Sequence, residues 1–84
     1  MKKSLLLDRM IELSLEHPTA EFSHNCEILT GCTSVWQALR RLSKSLDEYG
    51  DIDVVSDLND FFPVDVRFIE KRIEVYSTET VRWK

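Results

Sequence analysis

The stretch Thr33–Gly50, TSVWQALRRLSKSLDEYG, restricts the fold more than any other part of the chain. Ser34 and Gln37 have the spacing of a capping box, in which each side chain satisfies an orphan donor of the first helical turn. Gly50 stands where a helix end wants a residue that enters the left-handed region. Between these marks Val35, Leu39, Leu42 and Leu46 recur at i, i+4, i+7 and i+11, so they share one face. Gln37, Arg40, Arg41 and Lys44 recur at i, i+3, i+4 and i+7 on roughly the opposite face, at about 100° per residue. One face is built to bury and the other to present amide and cationic donors. Any fold for this chain must place a core under the first stripe and open space over the second.

The 84 residues make one domain, 1–84. A chain of this size buries roughly 60–65% of its unfolded surface, enough for a core without staples. Apolar residues at 43% and charged residues at 31% fit a soluble globular domain. The N-terminal MKKSLLL opens like a secretory leader, but Asp8 and Arg9 interrupt the apolar run after three Leu. A leader needs about 7–15 uninterrupted apolar residues and a membrane span about 18. The chain therefore reads as cytoplasmic.

Net charge is −4, and its distribution says more than its sum. Between Ser45 and Val66 lie seven acids (Asp47, Glu48, Asp51, Asp53, Asp57, Asp60 and Asp65) and no Lys or Arg. The bases gather elsewhere: Arg40, Arg41 and Lys44, then Arg67, Lys71 and Arg72, then Arg82 and Lys84. This arrangement serves a protein that shows one face to DNA and turns the acidic face away. It serves equally a protein that takes a basic partner on the acidic segment.

Taken in order, Ser4–His17 reads as a first helix. Leu6, Met10, Leu13 and His17 share a face that Leu7, Ile11 and Leu15 extend, and Pro18 stops it. Thr19–Leu29 reads as a shorter second helix, with Thr19 as N-cap and Phe22, Cys26 and Leu29 as its buried set; Gly31 ends it. The helix Thr33–Gly50 follows. After it, Ile52 and Val54 alternate with Asp51 and Asp53 as a short strand. Ser56–Phe62 is either a capped helical turn or a loop. Val64, Val66 and Phe68, then Ile73 and Val75, alternate with a parity switch near Glu70–Lys71. That predicts a hairpin of Val64–Ile69 with Arg72–Ser77. No Asn-Gly or Asp-Gly marks its turn, which leaves a single bent strand open. Val81 and Trp83 would fold back on the core or sit in an interface.

The expected class is thus α+β: a three-helix helix-turn-helix core, a short strand and a C-terminal hairpin. The stretch HPTAEF…LTGCTSVWQALRRLSKSL resembles the second and third helices of the winged helix-turn-helix superfamily, with a rhythm similar to T-A-E-x-L … G-x-S-x-x-T-V-x-x-A-L-x-x-L over Thr19–Leu46. The spacing from Gly31 to Val35 is two residues shorter than that rhythm, Glu27 stands where a small residue often packs, and Asp51–Asp65 is a long acidic insertion. The resemblance implies a transcriptional regulator that binds double-stranded DNA, with the third helix in the major groove and the hairpin as a wing.

On that reading Gln37, Arg40, Arg41 and Lys44 make the helix contacts, and Arg67, Lys71 and Arg72 grip backbone or minor groove. Arg pairs bidentately with guanine, Gln with adenine, and Lys chiefly meets phosphate. A binder this small commonly dimerises to read half-sites, so a homodimer is a further expectation. The rival reading is an acidic adaptor or inhibitor that binds another protein through Asp51, Asp53, Asp57 and Asp60. On a bland reading every one of these charges is only solvated.

Cys26, Cys32, His17 and His24 do not have the close pair spacing of a structural zinc site, so no metal or other cofactor is expected. A buried Cys commonly serves as a small hydrophobe. No nucleophile motif, phosphate-binding Gly-rich loop or paired-carboxylate signature appears, and the chain is short for an enzyme pocket, so no catalysis is expected.

Overall fold

A computed structural model describes residues 1–55 and 63–77. It is α+β: helix α1 (Lys3–Glu16), strand β1 (Glu21–His24), a 3₁₀ turn (Glu27–Leu29), helix α2 (Val35–Tyr49), and strands β2 (Val64–Ile69) and β3 (Arg72–Ser77). The three strands form one sheet in the order β1-β3-β2, with β1 parallel and β2 antiparallel to β3. Helix α1 packs on α2 and on the inner face of the β2–β3 hairpin.

The ends of α2 follow from the side chains that flank it. Ser34 Oγ accepts from the Gln37 backbone N–H (3.2 Å). Gln37 Oε1 returns the favour one residue further out, accepting from the Thr33 N–H (2.6 Å) and from Thr33 Oγ1 (3.0 Å). Gly50 closes the helix at φ 87, where a β-carbon would be strained. Ala38, Leu39, Leu42 and Ser45 are buried, while Val35 and Leu46 are half-buried. The inward face is therefore rotated slightly from the expected stripe, toward the side that α1 covers.

Helix α1 has no side-chain cap of its own at Lys2. The cap arrives from far along the chain. Asp51 Oδ1 accepts from the Ser4 N–H (2.9 Å) and Oδ2 from Ser4 Oγ (2.7 Å). Those bonds, with the Ser4 hydroxyl first, hold the Asp51 carboxyl below its ordinary range. The buried side of α1 is Lys3, Leu6, Met10, Leu13 and Ser14. Ile11 and Leu15, expected to extend it, are instead exposed, Leu15 by 73%. α2 and the hairpin together cover only one side of the helix.

The expected second helix is a correction. Glu21–His24 is a strand, and only Glu27–Leu29 turns helically. Ser23, His24 and Asn25 are weak helix formers. Extended, this segment gains the β3 ladder, with Glu21 N–H donating to Lys71 O (3.1 Å) and Asn25 N–H to Val75 O (3.2 Å). Cys26 and Leu29 are buried as the spacing required, but in a non-helical frame. The expected strand at Ile52–Val54 is likewise reduced to the isolated bridges Lys2–Asp53 and Val55–Pro63. Val54 is buried there, whereas Ile52 is not.

The hairpin forms with the register Val66–Val75 and Phe68–Ile73. Its two-residue turn, Glu70-Lys71, has φ 53 and 65, the positive values a type I′ turn needs, without the Asn-Gly that makes such a turn cheap. Val64, Val66, Ile73 and Val75 bury against α1, and Phe68 stacks on His17 with ring centroids 3.6 Å apart. Full burial of Leu6, Met10, Leu29, Leu42 and Ile73 supplies about 1.5–3 kcal/mol for each side chain. The readings of Ser56–Phe62, Val81 and Trp83 lie outside the described residues.

Candidate nucleic-acid interface

The outward face of α2 and the turn before it line an open groove of ≈ 610 Å³. Gly31, Cys32, Gln37, Arg40, Arg41, Ser43, Lys44 and Asp47 form its walls. All four expected residues of the helix stripe are thus in one place, with a single carboxylate among them. Their availability differs. Arg40 and Lys44 are exposed and make no ion pair or side-chain hydrogen bond within the described residues. Arg41 Nη1 donates to two carbonyls, Ile28 O (3.1 Å) and Thr30 O (3.2 Å), and so fastens the 3₁₀ turn to α2. Its charge still faces the groove while part of its donor set is used. The Gln37 carboxamide oxygen is occupied by the helix cap. An adenine pairing through that amide would have to compete with the cap.

The hairpin bases are placed differently. Arg67 Nε donates to Glu74 (2.8 Å), and its guanidinium lies over the Tyr76 ring (4.3 Å). Arg72 Nη1 donates to Glu70 (2.8 Å), Nε to Ser23 Oγ (3.1 Å), and Nη2 lies 3.6 Å from Glu74. The Glu70 bond leads the causes that raise the Arg72 pKa. Lys71 is exposed at the turn. The sheet's outer face thus carries paired charges, and among the described residues Lys71 is the one of the expected trio without an ion pair or side-chain hydrogen bond. The groove on α2 is lined by α2 and its preceding turn, without these three residues.

The acidic residues also have local partners. Asp51 caps α1, and Asp53 lies 3.9 Å from the N-terminal ammonium. Asp57 and Asp60 lie outside the described residues. Cys26 and Cys32 are buried thiols.

One constellation was missed by reading the sequence. Lys3 is 3% exposed, and its ammonium donates to Ser45 Oγ (2.7 Å), has Ser45 O at 3.5 Å, and lies 5.7 Å from the Tyr49 ring centroid. Its spacing to Leu6 and Met10 on the buried face of α1 was the available signal. No helix among the described residues is long and apolar enough to cross a membrane. Compared with protein-family models, curated proteins and solved structures, the chain matches none.

Proposed function

We propose that this protein is a small DNA-binding regulator that lays the outer face of α2 against duplex DNA. The observation that carries the reading is the groove on α2, where Arg40, Arg41 and Lys44 converge against a single acid, Asp47. Electrostatic attraction to phosphate supplies most non-specific affinity, and basic side chains on an exposed helix are its usual source. Arg40 and Lys44 are the primary contacts, because among the described residues neither has another side-chain partner. Arg41 contributes charge and orients the turn. The order helix, strand, 3₁₀ turn, helix, hairpin supports a winged-helix reading in which the second helix of the core is reduced to the turn Glu27–Leu29. The wing then contributes Lys71 alone, since Arg67 and Arg72 are held by Glu70 and Glu74.

The acidic adaptor is the weaker reading, because Asp51 and Asp53 already serve the N-terminus of α1. The test is fluorescence anisotropy with a labelled mixed-sequence duplex at low salt. Binding that weakens in Arg40→Ala and Lys44→Ala, with both variants folded, is the expected result. Absence of binding by folded protein overturns the proposal.

A further inference from the structure

Behind the stripe on α2 lies a second cleft, of ≈ 510 Å³, between the start of α1, the last turns of α2 and the segment 52–55. Ile28, Tyr49, Ile52, Val54 and Val55 make its apolar wall. Tyr49 and Ile52 are 70% and 56% exposed, so the cleft leaves large apolar surface open to water. The Lys3 side chain reaches its floor, and Arg41 and Lys44 stand in its lining. Glu48 and Asp53 are also there, Asp53 beside the N-terminal ammonium.

The Lys3 ammonium is almost wholly buried, yet its direct contacts are a hydroxyl, a carbonyl and an aromatic ring; the Asp51 carboxylate feels its charge, but among the described residues no carboxylate lies within ion-pair distance of it. A buried cation is ordinarily matched by an anion, because its own desolvation costs several kcal/mol. A pocket of this volume, with a broad apolar wall and a lining of three cations (Lys3, Arg41 and Lys44) against two acids (Glu48 and Asp53), has the make-up of a small-molecule site.

We infer that this cleft binds a small amphiphilic carboxylate, its carboxylate on the Lys3 ammonium and its aryl or alkyl body against Ile28, Tyr49, Ile52 and Val54. The cleft shares Arg41 and Lys44 with the groove on α2, but Lys3 and the apolar wall belong to it and not to that groove. A carboxylate suits the site because its lining carries three cations, Lys3, Arg41 and Lys44, against two acids, and the ligand body must be apolar to cover Ile28, Tyr49, Ile52 and Val54.

The test uses naphthalene-2-carboxylate, with the isosteric naphthalene-2-carboxamide and the cation 2-naphthylmethylammonium as comparison probes. Each is titrated into the full chain by calorimetry and by amide chemical-shift mapping. The expected result is saturable carboxylate binding at least tenfold tighter than the carboxamide, no binding of the cation, and shifts centred on Ile28, Tyr49, Ile52 and Val54. Lys3→Met should bring the carboxylate to the affinity of the carboxamide. Ile52→Glu, at an exposed position, should abolish carboxylate binding and so provides a second variant if Lys3→Met does not fold. Equal affinity for carboxylate and carboxamide in the native chain, shifts centred elsewhere, or no saturation overturns the inference.

Discussion

Replacing Lys3 with Met should leave this protein as stable as it was, or more so. Several kcal/mol of desolvation is the cost of burying the ammonium. Against that stand one charge-assisted hydrogen bond to Ser45 Oγ at 2.7 Å, of about 1.5–3 kcal/mol, and a long cation–π contact of about 0.5–1 kcal/mol. The two sides nearly cancel, and Met keeps the apolar stem while removing the charge. Lys3→Met should therefore change unfolding free energy by between about 0 and +2 kcal/mol, each kcal/mol raising Tm by about 4–8 °C in a domain of this size.

Ser45→Ala should behave oppositely. It takes away the best acceptor of a buried cation and should cost about 1–3 kcal/mol. In the Lys3→Met background the same change should cost only about 0.5 kcal/mol, because no charge is then left unsatisfied. Urea denaturation of the four chains in a double-mutant cycle measures these terms. A Lys3→Met loss above about 2 kcal/mol, or an equal Ser45→Ala cost in both backgrounds, would refute the assignment of Lys3 as a buried, poorly compensated charge.

Other consequences follow from the caps and turns. Asp51→Asn should lower Tm at neutral pH, because a folded-state pKa held below the unfolded value stabilises above the ordinary carboxylate range. That stability is lost as pH falls through the folded pKa, so native and variant chains should converge at strongly acid pH. A gap in Tm that is unchanged there would contradict the cap. Lys71→Gly should raise stability by up to about 1 kcal/mol, since φ 65 strains a lysine and not a glycine; a loss on chemical denaturation would count against the positive-φ turn. Arg41→Ala should cost about 1–2 kcal/mol by releasing Ile28 O and Thr30 O, and hydrogen exchange should rise in Glu27–Thr33. Unchanged exchange in that segment would show that the guanidinium does not fasten the turn.

What was legible in the sequence was local. Ser34, Gln37 and Gly50 mark the ends of α2 because caps act within a few residues. The parity switch at Glu70–Lys71 gives the hairpin because side-chain alternation is a property of each strand alone. The four residues of the α2 stripe share a groove because helical spacing alone puts them there. What was hidden depends on distant partners. Glu21–His24 becomes a strand only because β3 offers it a ladder. Asp51 reads as one acid in an acidic run until the fold brings it to Ser4. Arg67 and Arg72 read as free cations until register sets Glu74 beside them. Lys3 reads as a solvated N-terminal base until α1 turns it toward Ser45. Gln37 is the local exception: a capping box is visible in sequence, but not that its amide is thereby partly withdrawn from recognition.

If the cations on α2 meet phosphate as proposed, duplex binding should weaken steeply as salt rises. Each phosphate contact contributes about 0.9 to the slope of log affinity against log salt. With Arg40, Arg41 and Lys44 on α2 and Lys71 on the wing all engaged, affinity should fall about 150-fold between roughly 50 and 200 mM salt. In the doubly substituted Arg40→Ala, Lys44→Ala chain the fall should shrink to about 12-fold, the value for the two remaining contacts, Arg41 and Lys71. An unchanged slope in that variant, or no duplex binding by the folded native chain at the lower salt, would contradict the account.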